Sequence, residues 1–186
     1  MALEEPGTPL RAVELPDPVP GDGQLLLRVL ACGVCRTDVH VRDGEVTTTT
    51  RPIVPGHQIV GVVERGGART STPPGTRVGV PWLGWTDGTC AFCTSGRENL
   101  CTAARFTGLD IPGGFAELTV ADERVCFPLP DDYDDLQVAP LLCAGRIGHR
   151  ALRMTGGAHR LGLYGFGAAA HIVAQTAIHQ GRTVHA

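Results

Sequence analysis

Short apolar runs separated by turn residues dominate the first two-thirds of the sequence. One run covers residues 25–30 after a Pro/Gly-rich turn, and a second covers residues 59–63 between Pro55-Gly56 and Gly66-Gly67. Residues 77–80 and 115–120 follow the same rule, each bounded by Gly or Pro. Such runs are typical of β-strands. The pattern predicts a partly open β-barrel over residues 1–130.

The pattern changes after residue 131. Asp134 and Asp135 precede an apolar stretch that Pro140 interrupts, and residues 141–154 then have the character of a helix. A Thr-Gly-Gly linker leads to a short buried strand at 161–164, a helix at 168–180 and a further strand from residue 183. The sequence therefore predicts an α+β protein with a second unit at 131–186. The threonine run at 47–50 is most simply a loop.

Composition narrows the class of partner. The 186 residues include 42% hydrophobic and 19% charged side chains, which is enough apolar surface for an ordered core. The net charge of -3 gives no reason to expect nucleic acid or an anionic membrane as a partner. No apolar run approaches the ~20 residues of a membrane span, and the N-terminus lacks the order of a signal peptide. The expected compartment is the cytoplasm.

Three of the seven cysteines lie close together in the pattern Asp87-x2-Cys90-x2-Cys93-x7-Cys101. Thiolates are the preferred donors of closed tetrahedral zinc sites, and a carboxylate is an acceptable fourth ligand. Two alternatives are small residues that merely share one loop and a redox-active Cys-x-x-Cys pair, although no thioredoxin-like context surrounds this pair. The spacing favours a structural zinc site in a lobe at 84–104, with Asp87 as the weakest ligand.

Further candidate ligands are dispersed along the chain. Cys32 and Cys35 follow the first strand, His57 precedes the second, and Cys143 opens the late helix. Taken singly, the histidine reads as a structural residue and each cysteine as inert packing. Two thiolates and one imidazole from three distant segments would leave a fourth zinc position open, as catalytic sites do.

A glycine-rich turn joins the strand at 161–164 to the helix that follows. Gly165 allows a tight turn, Gly167 lets the backbone approach a pyrophosphate at the helix N-terminus, and Ala170 is small enough for helix and strand to meet. This is the pattern of the first βα(β) of a Rossmann fold that binds NAD or NADP. The residue that would read the ribose 2′ position falls at or beyond residue 186, so both cofactors stay open.

From about residue 10 to the end, these motifs resemble, in order, those of the zinc-dependent alcohol dehydrogenases of the medium-chain dehydrogenase/reductase family. The segment 95–101, Ser-Gly-Arg-Glu-Asn-Leu-Cys, resembles the structural-zinc lobe of that family. The resemblance implies a GroES-like fold for the first part and oxidation of a small alcohol to an aldehyde or ketone with NAD(P). It selects Cys35, His57 and Cys143 as the catalytic zinc ligands and leaves Cys32 and Cys126 as core residues. For the full-length family member it allows a homo-oligomer, and the oligomeric state stays open.

The same resemblance gives roles to the residues around Cys35. Thr37 would take the alcohol proton and pass it towards His40, Asp38 would orient the ligand imidazole, and Arg36 would lie against the cofactor pyrophosphate. The alternative is an ordinary polar loop after a strand. Two positions depart from the family: Asp87 stands where a cysteine is usual, and Gln58 where many members have glutamate.

The cofactor unit is short. Residues 161–186 supply one strand, one helix and part of a second strand, whereas a full dinucleotide fold needs two βαβαβ halves. We therefore expect a truncated chain that binds the cofactor poorly, exposes apolar surface near its C-terminal end and turns over little substrate alone. The alternatives are a catalytically inactive zinc-binding remnant, a redox thiol protein, and a zinc-free quinone reductase, which the complete set of zinc ligands disfavours.

Overall fold

The computed structural model describes residues 1–47 and 50–186; residues 48 and 49 of the predicted 47–50 loop lie outside the described residues. The strands are β1 (Gln24–Cys32), β2 (Ile59–Gly66), β3 (Arg77–Val80), β4 (Leu83–Trp85), β5 (Arg105–Phe106), β6 (Leu118–Asp122), β7 (Phe127–Pro128), β8 (Arg160–Gly162) and β9 (Thr183–His185). The helices are α1 (Arg36–Asp43), α2 (Asp135–Val138), α3 (Ala144–Met154) and α4 (Ala168–His179). Short 3₁₀ segments occur at Cys93–Ser95, Glu98–Leu100, Glu123–Val125 and Ala139–Leu142.

A five-stranded antiparallel sheet in the order β6-β1-β2-β3-β7 forms the body of the described part of the chain. Successive side chains of a strand alternate in direction, so Leu25 and Leu27 of β1 point to the same face. Both side chains are completely buried. They pack with Ile59 and Val63 of β2 and Val78 of β3. Truncation of such a leucine to alanine costs about 2–5 kcal/mol in other proteins. These contacts form the core of the barrel.

The predicted strands at 25–30, 59–63 and 77–80 are confirmed, whereas β6 begins at Leu118 rather than at residue 115. The reason is that residues 113–115 hydrogen-bond to another segment. Gly113 N donates to Val54 O at 2.7 Å, and Phe115 N donates to Pro55 O at 3.0 Å. Residues 113–115 therefore hold the turn before β2 in place and are not available to the ladder with β1.

The predicted helix at 141–154 begins later, at Ala144. Pro140 lies in the 3₁₀ segment Ala139–Leu142, and Cys143 has φ -117° and ψ -76°, outside regular helical geometry. Leu142 packs with Ala31 of β1 and Val60 of β2. The 3₁₀ segment therefore packs on the barrel, and α3 begins directly after Cys143.

The C-terminal part has its own small core. Leu152 of α3, Leu161 of β8 and Val173 and Ala177 of α4 form it, and β8 pairs with β9 in parallel. Gly148 of α3 lies against α4, where an added Cβ would lie 3.0 Å from Ala169 O. Exposed apolar side chains gather in this part of the chain: Ile147, Met154, Tyr164, Phe166 and Ile178.

None of the helices formed by the described residues combines the length and the apolar character that crossing a bilayer requires.

The carboxylate of Glu123 joins the turn after β2 to the segment after β6. Its Oε1 accepts hydrogen bonds from Ser71 N at 2.8 Å and from Thr72 N and Thr72 Oγ1, both at 2.6 Å. The Thr72 hydroxyl bond, followed by the two backbone bonds, lowers the pKa of Glu123 to about 2. The ionised carboxylate is the form that these donors stabilise.

We expect Glu123→Gln to be less stable than the parent above pH 4.5 and to lose that difference as the pH falls towards 2. The sign follows because a lowered folded-state pKa stabilises the fold only while the carboxylate is ionised. Thermal unfolding at several pH values measures the effect. Glu14→Gln, at an exposed position, is the matched control, and an equal pH dependence in both variants would contradict the assignment.

Candidate functional site

Donor atoms from three separate segments converge at one point of the structure. The Sγ atoms of Cys35 and Cys143 and a ring nitrogen of His57 all lie within 4.8 Å of one another. Cys35 Sγ lies 3.2 Å from His57 Nε2. Cys35 immediately precedes α1, His57 precedes β2 and Cys143 precedes α3. The fold thus brings together the dispersed set that the sequence singled out.

Cys35 is held by the start of α1. Its Sγ accepts a hydrogen bond from Thr37 N at 3.3 Å, and its own N–H donates to Asp38 Oδ2 at 2.8 Å. This reciprocal pair is a capping box in which cysteine replaces the usual Ser or Thr. Residues 36–43 therefore form a helix and not a loop. The missed signal was Asp38 three residues after the cap together with Gly44 at the helix end.

Asp38 also fixes the imidazole. The Asp38 Oδ1 accepts from His57 Nδ1 at 3.1 Å and from Gly56 N at 3.2 Å, and the histidine is 1% exposed. With a proton on Nδ1, Nε2 is left as the atom that faces Cys35. Burial by itself would lower the pKa of His57, but the hydrogen bonds to Asp38 and Cys35 outweigh it and raise the pKa to about 9. The Trp82 ring, which sequence reasoning missed, lies 4.9 Å from the imidazole in an edge contact.

The two thiols at this point behave as a pair. The hydrogen bond from Cys143 is the largest cause that lowers the pKa of Cys35, against the opposing effect of burial. The same bond, together with burial, raises the pKa of Cys143. One of the two thiols therefore ionises readily, and its negative charge opposes ionisation of the other. A bound cation would offset the repulsion between two thiolates. Two thiolates and an imidazole that loses its Nε2 proton when a metal binds fit zinc and leave a fourth position open.

Cys32 does not take part in this cluster. Burial raises the pKa of its thiol to about 12, and its Sγ is packed beside Gly56 and Gly114. Cys126 is similar, since burial raises its pKa to about 12 and its Sγ donates to Asp122 O at 3.3 Å. Both thiols are inert on these grounds.

A second cluster gathers Asp87, Cys90, Cys93 and Cys101, whose donor atoms also lie within 4.8 Å of one another. Cys90 Sγ and Cys93 Sγ are 3.6 Å apart, and Cys101 Sγ lies 3.3 Å from Asp87 Oδ2. Asp87 Oδ1 accepts from the backbone N–H groups of Thr89 and Cys90 at 2.8 and 2.9 Å. All seven cysteines of the chain are free.

The carboxylate of Asp87 is suited to act as a ligand. Its backbone bonds to Cys90 and Thr89 lower its pKa, so it is ionised at neutral pH. Those bonds use Oδ1 and leave Oδ2 directed at the sulfurs. One anionic oxygen and three sulfurs fit a closed four-coordinate site, in which the oxygen is the harder donor.

The residues assigned to proton transfer lie along α1. Thr37 is half-buried, and its side chain lies near enough to the Cys35 sulfur to help lower the pKa of that thiol. His40 is one turn further along and half-exposed, with its Nδ1 in contact with the carboxylate of Glu45, a residue that sequence reasoning missed. Arg36 is exposed. Gln58 is buried, and its Nε2 has no hydrogen-bond partner among the described residues.

The glycine-rich turn lies at the start of α4. Gly165 has φ 91°, and Gly167 is the N-cap, without a side-chain hydrogen bond to the helix. Gly167 is exposed and Ala170 is half-buried. α3 and α4 pack together, since an added Cβ on Gly148 would lie 3.0 Å from Ala169 O and Leu152 shares a hydrophobic cluster with Val173 and Ala177.

Comparison with known proteins identifies the family of the chain. A model of the alcohol dehydrogenase GroES-like domain matches residues 21–131. The chain is 46% identical to the probable alcohol dehydrogenase AdhA of Mycobacterium tuberculosis, over 95% of this chain and 54% of that protein. It thus spans about half the length of the curated relatives it matches.

Two solved structures show the same fold. A thermostable alcohol dehydrogenase from Pyrobaculum aerophilum, solved with cobalt and zinc bound, gives a TM-score of 0.89 at 27% identity, over 98% of this chain and 57% of that one. The protein CAD from Helicobacter pylori, solved in complex with NADP(H), gives 0.81 at 27% identity, over 89% of this chain and 51% of that one.

We expect Asp38→Asn to weaken zinc binding at the Cys35 cluster by about 10–100-fold, the usual effect of removing the partner of a ligand histidine. The substitution removes the anionic acceptor of His57 Nδ1 but keeps the size of the side chain. Competition with a chromophoric chelator measures the affinity. Asp43→Asn, an exposed change on the same helix, is the control, and unchanged affinity in both variants would contradict the role of Asp38.

For the Asp87 cluster, Asp87→Cys is expected to raise zinc affinity, because a soft thiolate replaces a harder oxygen.

The wild-type chain should hold about two zinc ions, one per cluster. Elemental analysis of Cys93→Ser and Cys143→Ser counts them: each variant should lose about one ion. A wild-type chain that binds no zinc would refute both sites.

Proposed function

Because the chain belongs to the zinc-dependent alcohol dehydrogenases of the medium-chain dehydrogenase/reductase family, we propose that it provides the catalytic zinc site of an alcohol dehydrogenase. The proposed reaction is oxidation of a small alcohol to an aldehyde or ketone by hydride transfer to NAD(P). The observation that carries this proposal is the convergence of Cys35, His57 and Cys143 from three distant segments.

These three residues would hold the catalytic zinc, and Asp38 would keep His57 Nε2 directed at it. Zinc at such a site supplies a Lewis acid that polarises the alcohol oxygen and lowers its pKa. Asp87, Cys90, Cys93 and Cys101 would hold a second, structural zinc in the lobe at 84–104.

The alcohol proton would leave through side chains of α1. The Thr37 hydroxyl, fixed beside Cys35, accepts the proton from the alcohol and passes its own towards His40. His40 is half-exposed and releases the proton to water. Gln58 would contribute less to the site than the glutamate that many family members carry at this position, because a neutral amide has no charge to supply.

For the nicotinamide cofactor, the exposed backbone at Gly165 and Gly167 and the N-terminus of α4 would bind the pyrophosphate, with Ala170 allowing the close approach. Arg36 would add a positive charge there. We propose that the cofactor is either NAD or NADP, without a preference between the two.

We also propose a boundary near residue 130 between the catalytic unit and the cofactor unit. The cytoplasm is the proposed compartment, because two clusters of free thiols suit a reducing environment.

A chimera tests the activity directly. We expect this chain, joined to the remaining half of the Mycobacterium tuberculosis relative, to reduce NAD(P) in the presence of an alcohol. Substitution Cys143→Ser in the chimera should reduce the rate to background, because one zinc ligand is removed. The 186-residue chain alone should show little turnover, and Cys126→Ser serves as the cysteine control. A folded, zinc-loaded chimera without activity would favour the alternative of an inactive zinc-binding remnant.

A further inference from the structure

We propose that Arg124 is a positioning residue for the metal site of the Asp87 cluster and that it fixes the chain on both sides of Asp87 to the barrel. The inference rests on the part of the proposed function in which this cluster holds a structural zinc. Its structural basis is the hydrogen bond from Arg124 Nη2 to Thr86 O at 3.0 Å.

A carboxylate of the barrel fixes the guanidinium of Arg124. Asp122, the last residue of β6, is 9% exposed. Arg124 Nη2 donates to Asp122 Oδ2 at 2.6 Å, and Arg124 Nε lies 3.0 and 3.1 Å from the two carboxylate oxygens. Asp122 Oδ1 also accepts from Arg124 N at 2.9 Å. Because both carboxylate oxygens are engaged, the planar guanidinium is held in one orientation and its other N–H groups point in a fixed direction.

That direction leads to the two neighbours of Asp87. Arg124 Nη2 donates to the backbone of Thr86, a buried residue that directly follows β4. On the other side, a Cβ added at Gly88 would lie 3.1 Å from Arg124 Nη1, so the guanidinium lies against the backbone there. Gly88 has φ 71°, a conformation that glycine adopts without strain. The guanidinium thus contacts the chain immediately before and after the weakest candidate ligand.

The contact also bears on the thiolates of the cluster. Three thiolates and one carboxylate around a divalent ion leave two negative charges. The Arg124 guanidinium lies close enough to Cys93 for their charges to interact, and Thr86 and Gly88 lie within interaction range of the same sulfur. Asp122 already pairs with this guanidinium, so the larger effect of Arg124 is on position rather than on net charge. Outer partners that orient ligands in this way raise the metal affinity of a site.

Zinc affinity of the purified 186-residue chain tests the proposal without alcohol or cofactor. Each Arg124 variant is made in two backgrounds. Cys143→Ser disables the Cys35 cluster and isolates the Asp87 cluster, whereas Cys93→Ser does the reverse. Competition with a chromophoric chelator then gives the zinc affinity of one cluster at a time, and circular dichroism verifies that each variant is folded.

We expect Arg124→Gln to weaken zinc binding at the Asp87 cluster by about 10-fold, a usual effect of removing an outer partner of metal ligands. The affinity of the Cys35 cluster should not change, whereas a general loss of stability would weaken both clusters. Arg124→Lys should resemble Arg124→Gln, because a single ammonium lacks the fork that holds the Asp122 carboxylate and Thr86 O together.

Arg28→Gln is the matched control. The side chains of Arg28 and Arg124 are both 53% exposed, and Arg28 Nε is also paired with a carboxylate, that of Glu64, at 2.7 Å. This variant should leave both affinities unchanged.

Three results would overturn the proposal: an Asp87 cluster that binds no zinc in the wild type, wild-type affinity of that cluster in Arg124→Gln or Arg124→Lys, or an equal loss of affinity at both clusters. Because the measurement uses zinc alone, an inactive chimera combined with the expected affinities would refute only the proposed oxidation of an alcohol.

Discussion

One buried carboxylate holds the candidate catalytic centre together. Asp38 accepts hydrogen bonds from the backbone of Cys35, the backbone of Gly56 and the ring of His57, and so ties the start of α1 to the start of β2. Those two segments are far apart along the chain. A carboxylate that is 7% exposed needs such partners, because an unpaired buried charge is very costly. The same three bonds thus satisfy Asp38 and aim two candidate zinc ligands at one point.

The third candidate zinc ligand, Cys143, is positioned by a different kind of contact. Cys143 follows a 3₁₀ segment whose Leu142 is packed on β1 and β2. Apolar packing therefore positions this thiol, whereas polar contacts position the other two donor residues. The donor atoms of all three residues lie within 4.8 Å of one another. The arrangement depends on the fold of the barrel as a whole rather than on any single loop.

Much of this architecture was accessible from the sequence. The strands between Gly and Pro turns were predictable because apolar runs such as 59–63 are set by local pattern, and the cysteine spacing at 90–101 predicted a cluster that the structure assembles. What escaped prediction was non-local or unusual. The start of β6 depends on bonds to residues 54–56, and α1 is capped by a cysteine, which is a rare cap residue. The contact of Trp82 with His57 has no signature in the sequence.

Gly44 is confined from two directions. Its left-handed backbone disfavours any residue with a Cβ, and a Cβ there would lie 2.6 Å from the Cβ of Pro6. Pro6 is itself held by the N-terminal segment, in which Gly7 N donates to Arg42 O and Leu3 pairs with Ile53. The consequence concerns the engineering of this chain. A larger residue at position 44 requires a compensating change in the N-terminal segment that covers it.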